Sequence, residues 1–281
     1  MESLDDNALE ELVREAQGGD AAALERVARA VQDDVFGLAH KMLGHPHDAR
    51  DATQEVLIRL ITKLSTFRGE SRFRTWVYRV AANGILNFRT ELRTPERTFA
   101  EAGAQLDGAL DAYEAAPAAE PERDVLVNEV KVACTHGMLL CLDRPHRLAY
   151  VLGEILELPG EDAASILEIS PVAFRKRLSR ARDEMESFLK KRCGLAEPAN
   201  RCRCAKLVPV AVATGVVDPR RLALGALEAR RADRLRTDIE QLRTAAEVFR
   251  SLPTYAAPGD FGASVREWLS ADESHESTEG N

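Results

Sequence analysis

The stretch HDARDATQEVLIRLITKLSTFRGESRFRTWVYRVAANGILNFRTELR, His47 to Arg93, decides the fold. Val56, Leu57, Leu60, Ile61 and Leu64 recur at helical spacing, so residues 49–65 read as one helix, with Asp48 able to cap it. Phe67 to Gly69 reads as a short loop, and a second helix is expected from about Ser71 to Leu92. Four of the chain's aromatic residues (Phe67, Phe73, Trp76 and Tyr78) sit here among Arg68, Arg72, Arg74 and Arg79. Such a mixture reads either as an amphipathic helix with a solvated basic face or as a surface for unpaired bases and phosphates.

Upstream, residues 5–43 read as two helices broken at Gly18-Gly19-Asp20, with GHPHD, Gly44 to Asp48, as the next turn. Downstream, residues 94–122 exchange apolar periodicity for Ala, Pro, Gly and acids, and read as a flexible acidic linker. Helical pattern resumes over 125–142, 146–157, 160–167 and 171–191. In PGEDAASILEISPVAFRKRLSRARDEM, a short helix is expected to turn Ala163, Ala164 and Leu167 inward. Ile169 plugs the turn, Ser170 caps, and Pro171 opens the next helix. There Phe174, Leu178, Ala181, Met185 and Phe188 share one face, while Arg175, Lys176, Ser179 and Arg182 share the other. That is the layout of a helix-turn-helix, a motif shared by many regulators and by plain helical bundles.

The predicted class is all-α: two small helical domains joined by the acidic linker, plus a helical C-terminal extension. The domains are expected at 5–93 and 123–192, the linker at 94–122, the extension at 193–269 and a disordered tail at 270–281. A long helix from about Pro219 to Leu252 carries a short heptad-like seam, with Leu235, Ile239, Leu242, Ala246 and Phe249 spaced by four and three.

The chain carries a formal net charge of −8, which argues against indiscriminate nucleic-acid binding. The charge is blocky, however. Residues 1–34 hold ten acids and three arginines, and residues 98–129 hold eight acids and one arginine. Residues 68–97 hold seven arginines against three acids, and residues 171–192 eight bases against three acids. Two basic islands therefore flank an acidic segment. No P-loop, G-x-G-x-x-G, H-E-x-x-H or nucleophile triad pattern is present, so no enzyme is expected. The acidic N-terminus lacks an apolar signal region, and no run of about 18 apolar residues occurs. A reduced, cytoplasmic protein that spans no membrane is the expectation.

Both motifs resemble one family. His47 to Arg93 resembles region two of bacterial RNA polymerase sigma factors of the extracytoplasmic-function (ECF) type, sigma-seventy superfamily. LDRPHRLAYVLGEILELPGEDAASILEISPVAFRKRLSRARDEMESFL, Leu142 to Leu189, is similar to region four. The resemblance implies a sigma factor that binds core RNA polymerase and directs promoter recognition and melting. A stand-alone helix-turn-helix regulator of duplex DNA is the alternative.

The resemblance also implies roles. Asp48, Asp51, Gln54, Glu55, Leu57, Ile58 and Arg59 are implied to dock on the β′ clamp helices, with the β flap as a second polymerase contact. Phe67, Arg68, Ser71, Arg72, Phe73 and Arg74 are implied to hold the −10 single strand, and Trp76, Tyr78, Arg79 and Asn83 to continue that surface. Helical spacing also allows Trp76 and Val80 to be core, which leaves the arginines as the main strand contacts. Ser170, Arg175, Lys176, Ser179, Arg180 and Arg182 are implied to meet the −35 duplex. The linker is either a nucleic-acid mimic in the polymerase channel or a plain tether. An anti-sigma partner is an open alternative.

The extension opens with CGLAEPANRCRC. Cys193, Cys202 and Cys204 could supply three thiolates, with a fourth from Cys134, His136 or Cys141. Metal binding (zinc first), redox sensing and a packed connector all fit this spacing, and no firm cofactor follows from it. Cys134 and Cys141 lie a heptad apart beside Val132, Leu139 and Leu140, which reads as core.

Overall fold

The computed structural model describes residues 5–88, 97–112, 122–220, 246–247, 250 and 257–263. The predicted Pro219–Leu252 helix, most of its seam and the 270–281 tail lie outside them. The described elements are helical; among the described residues the one extended feature is a bridge between Cys193 and Cys202. The structure divides into two compact units: Met1–Thr94 with Glu161–Pro171 and Thr254–Asn281, and Pro95–Gly160 with Val172–Pro253.

The first unit is built on four helices. Helix α1 (Asp6–Gln17) starts at Asp5, whose carboxylate accepts from the Ala8 N–H at 2.8 Å. Helix α2 (Ala21–Leu43) starts at Asp20, which accepts from Ala22 and Ala23. Leu9, Leu12 and Val13 of α1, and Val31, Val35, Leu38 and Met42 of α2, are buried at three- and four-residue spacing. Gly44 ends α2 in the left-handed region at φ 76°, where a side chain would be strained. Helix α3 (Pro46–Thr62) therefore begins earlier than its pattern suggests, with His45 rather than Asp48 as its cap. Helix α4 (Phe73–Asn87) approaches α3 at Gly84, where a Cβ would stand 2.7 Å from Val56 Cγ2. The expected end of α4 near Leu92 lies outside the described residues.

The second unit corrects the linker reading. Residues Phe99–Ala112 form a helix, α5. Leu106, Ala109 and Leu110 line one face of it and pack with Val130, Leu207, Val208 and Ala211. A capping box starts it: Glu101 accepts from the Thr98 N–H at 2.7 Å, and Thr98 Oγ1 accepts from the Glu101 N–H. Arg192 donates to the Gly103 carbonyl at 3.0 Å and pairs with Asp107. The Ala- and acid-rich composition concealed a narrow apolar stripe with charged anchors.

Helix α6 (Glu122–Leu139) is closed by a buried guanidinium. Arg147, on α7 (Arg144–Tyr150), donates to the carbonyls of Leu139, Leu140 and Leu142 at 2.8–3.1 Å. These are the acceptors a helix end leaves unsatisfied. Helix α7 widens into a π turn over Val151–Ile155. A Cβ on Gly153 would stand 2.7 Å from Leu178, so the backbone comes close there to α9 (Pro171–Arg192). Helix α8 (Gly160–Ile166) precedes the turn that leads into α9, and Glu168 takes φ 53° in that turn. Ala163 and Ala164 are buried as expected, but Ile166, not Leu167, completes the apolar side. Helix α10 (Cys204–Ala213) packs against α5 and α6 in the second unit.

One buried charge in the first unit gives a pH test. Lys41 on α2 donates to the Gly37 carbonyl, and burial pulls its ammonium down to about 8 against the attraction of Asp34. Below that value both folded and unfolded chains hold the proton. Between it and the ordinary 10.5, only the unfolded chain does, so stability rises with pH across the window. Relative to Lys41→Met, the parent is expected to gain about 3 kcal/mol over this window. Urea denaturation at stepped pH measures it; parallel curves for parent and variant would contradict it.

Candidate nucleic-acid and polymerase interfaces

The basic loop is anchored from inside. Gln17, at the end of α1, donates its side-chain amide to the carbonyls of Leu64 and Phe67 at 2.9 and 2.8 Å. Phe67, Phe73 and Trp76 form a ring cluster with centroids 5.2–5.7 Å apart. Phe73 is 3% exposed and Trp76 9%, so these two expected base contacts are core residues in this conformation. Their spacing on the inward face of α4 explains it. Val80 is half-buried.

The arginines divide into two groups. Arg74 pairs with Asp34 and, at 3.3 Å, with Asp6. Burial pushes the Asp34 carboxyl up despite Arg74, and burial with Asp34 pushes the Tyr78 phenol up. Arg74 and Tyr78 thus belong to a partly buried charge network in this conformation, a correction to their reading as outward strand contacts. Arg68, Ser71, Arg72, Arg79 and Asn83 are exposed or half-exposed. Within the first unit, Arg72 pairs with Asp162 at 3.1 Å while remaining 63% exposed. Arg79 donates to Ser165 Oγ at 2.6 Å. Sequence reasoning did not foresee these partners, because only tertiary structure brings α8 to α4.

On α3, Asp51, Gln54 and Glu55 are exposed, and Ile58 and Arg59 are partly so. Arg59 pairs with Glu55 one turn away. Asp48 and Leu57, implied by the resemblance to dock on polymerase, are 5% and 1% exposed, and Leu57 is buried as its helical spacing expects. Leu57 follows Val56 into the core, and the Pro46 start of α3 turns Asp48 inward. Both side chains are turned away from solvent in this conformation.

On α9, Phe174, Leu178, Ala181 and Met185 are buried, and Arg175, Lys176, Ser179 and Arg180 are exposed. Ser170 is exposed just before the helix. Arg182 is drawn into an ion pair with Glu154 at 2.7 Å. Val172 is 53% exposed beside these bases, an apolar group the charge pattern passed over.

A further feature escaped the sequence. Residues 257–263 lie on α2: Asp33 accepts from the Ala257 N–H and Gln32 from the Phe261 N–H. Arg29 grips Asp260 through both carboxylate oxygens, and Phe261 is buried. The guanidinium holds the Asp260 carboxyl below its ordinary range. Among the described residues no helix is long and apolar enough to cross a membrane.

The two groups of arginines are expected to separate in stability measurements. Arg74→Ala leaves the Asp34 carboxylate poorly compensated and is expected to cost about 1–3 kcal/mol. Arg68→Ala is expected to stay within about 0.5 kcal/mol. Thermal unfolding checks both; equal stability of the two variants would remove the distinction.

The comparisons with known proteins fit this geometry. A family model described as Sigma-70 region 2 matches residues 27–94. The RNA polymerase sigma-H factor of Pseudomonas aeruginosa is 30% identical over 185 residues, covering 64% of this chain and 93% of that protein. The ECF RNA polymerase sigma-E factor of Haemophilus influenzae is 31% identical over 189 residues, covering 66% and 96%. A solved structure of CnrH in complex with the cytosolic domain of CnrY shares 22% identity over 64% of this chain and 96% of that one, with a TM-score of 0.44. An anchored basic loop, a helix-turn-helix sequence and relatives aligned over nearly their whole length converge: the chain belongs to the ECF RNA polymerase sigma factors, which direct transcription initiation.

Proposed function

We propose that this sigma factor binds core polymerase through the exposed face of α3 and holds the −10 non-template strand along Arg68, Arg72, Arg79 and Asn83. Acids and an amide at Asp51, Gln54 and Glu55 suit a basic helical partner, and the β′ clamp helices are that partner. The observation that carries the strand reading is the division of labour on α4. Its rings face inward and fix the loop, while Arg68 and Arg72 face solvent and Arg79 is half-exposed against Ser165. Phosphates then compete with weak partners, because an ion pair as exposed as Arg72–Asp162 contributes little. A net-acidic chain binds DNA at such a patch only when polymerase delivers it.

On α9, Arg175, Lys176 and Arg180 suit phosphate or guanine, and Ser179 suits either a base edge or the backbone. Val172 adds an apolar contact for a thymine methyl in the −35 duplex. The β flap is the polymerase element that positions this helix. The protein acts in the cytoplasm as a non-catalytic subunit.

Transcription in vitro with purified core polymerase tests this reading. Promoter-specific RNA is expected only when core and this chain are both present. Arg68→Ala with Arg79→Ala is expected to lower open-complex formation by about tenfold or more, the scale of lost charge-assisted hydrogen bonds. Core binding by the double variant should match the parent. Tight sequence-specific duplex binding by the free chain, with no demand for core, would overturn the proposal.

A further inference from the structure

The loop after α9 is held by its own polar groups. Cys193 and Cys202 lie side by side in a parallel bridge, and the Gly194 N–H donates to the Cys202 carbonyl at 3.1 Å. Any Cβ at Gly194 would stand 2.3 Å from that carbonyl oxygen, so the close approach requires glycine. Asn200 donates its amide to the carbonyls of Lys190 and Cys193 at 3.0 and 3.2 Å. Arg203 donates to the carbonyls of Pro198 and Cys202, each at 2.8 Å, and to that of Asn200. Cysteines nine positions apart are thereby fixed as neighbours.

Cys204 is the first residue of α10, and α10 packs Leu207, Val208 and Ala211 against Val130 and Ala133 of α6. Cys134 of α6 lines one cavity with Leu207, Val210 and Ala211 of α10. The charges of Cys193, Cys202 and Cys204 all reach Cys134. Those of Cys193 and Cys204 reach Cys202, and that of Cys193 reaches Cys204, so every pair is within electrostatic range. Cys141 stands apart, with its thiol on the Gly137 carbonyl and its electrostatic neighbours Arg97, Arg147 and Glu101.

We propose that Cys134, Cys193, Cys202 and Cys204 form a four-thiolate site for one soft divalent transition-metal ion, zinc foremost. Four sulfurs from a rigid loop and two packed helices match the tetrahedral preference of zinc and exclude magnesium and calcium, which take oxygen ligands. Among the described residues no group of three or more His, Cys, Asp or Glu side chains is placed to hold a metal ion, so the site requires the cysteine side chains to turn toward one another on binding. On binding, four S–H protons pass to solvent and four sulfur–metal bonds form, giving a centre of charge −2. Cations surround it: Arg97 acts on Cys134, Arg203 on Cys202 and the buried Lys131 on Cys204. Burial raises the Cys134 and Cys202 thiols to about 12, and neighbouring thiolates oppose one another, until a dication makes the same crowding favourable.

The test uses the full chain, purified reduced and under anaerobic conditions, then titrated with zinc against a chromophoric chelator. One zinc per chain is expected. Cys202→Ser and Cys134→Ser are each expected to weaken binding by about 100-fold or more, beyond what loss of a merely supporting group costs. Cys141→Ser should bind like the parent. Cobalt in place of zinc should show the intense tetrahedral bands of four thiolates in the parent and weaker, shifted bands in Cys134→Ser. The parent titration and cobalt spectrum need no variant to fold. No stoichiometric zinc in the reduced parent, a cobalt spectrum without four-thiolate character, or full affinity in Cys134→Ser would each overturn the assignment.

Discussion

The amide of Gln17 holds the basic loop between α3 and α4 in place. Its two donated hydrogen bonds satisfy the carbonyls of Leu64 and Phe67, where the chain leaves α3 and before α4 begins. Residues 68–72 have no helical ladder to fix them, and backbone freedom costs about 1–2 kcal/mol per residue to remove. The amide fixes one end of the loop and the Phe67–Phe73–Trp76 cluster ties it to the other. Arg68 and Arg72 then extend from a short, anchored segment, so in the proposed strand-binding role the rings act by setting where the guanidiniums stand.

Charge on the same helix serves two ends at once. Arg74 is one residue into α4, next to Arg72 in sequence neighbourhood, yet it turns toward Asp34 and Asp6. Helical geometry separates positions 72, 74 and 79 around the axis, so neighbouring arginines meet different surroundings. The charges around Asp34 include Lys41 and Arg74, and the hydroxyl of Tyr78 lies in the same field. Asp6 and Asp33 stand beside Asp34, so the carboxylates at least balance Arg74 and Lys41, and the network adds no net positive charge beneath the basic island.

Periodicity made the helical class legible, along with the breaks at Gly19, Gly44 and Pro171 and the inward faces of α1, α2 and α9. It failed where composition outweighed pattern. Residues 99–112 look like linker by Ala, Gly and Asp content, yet Thr98 and Glu101 write a capping box and Leu106, Ala109 and Leu110 write a stripe. The family face, carried over as a block, placed Asp48 and Leu57 outward, whereas α3 turns both inward, as the apolar spacing alone shows for Leu57. The site residues tied up by tertiary partners, Arg74 by Asp34 and Arg182 by Glu154, could not be sorted from free ones by spacing. Nor could spacing choose among Cys134, His136 and Cys141 as a fourth thiolate or imidazole. Only the packing of α10 on α6 selects Cys134.

The two ends of the extension are held by unlike forces, and this bears on how each can respond. The Cys193–Cys204 knuckle is cross-linked through backbone carbonyls by Arg203 and Asn200, and its fourth thiol comes from the packed interior of α6. Such a unit opens only if several hydrogen bonds break together. Residues 257–263 rest on α2 through two accepted N–H groups, one exposed guanidinium–carboxylate fork and the ring of Phe261. Burying one such ring contributes about 1.5–3 kcal/mol, and the exposed fork weakens as salt rises. Attachment on that scale is comparable to local opening rather than global unfolding. The knuckle is therefore held by several hydrogen bonds acting together, while residues 257–263 rest on α2 through a smaller and more salt-sensitive set of contacts.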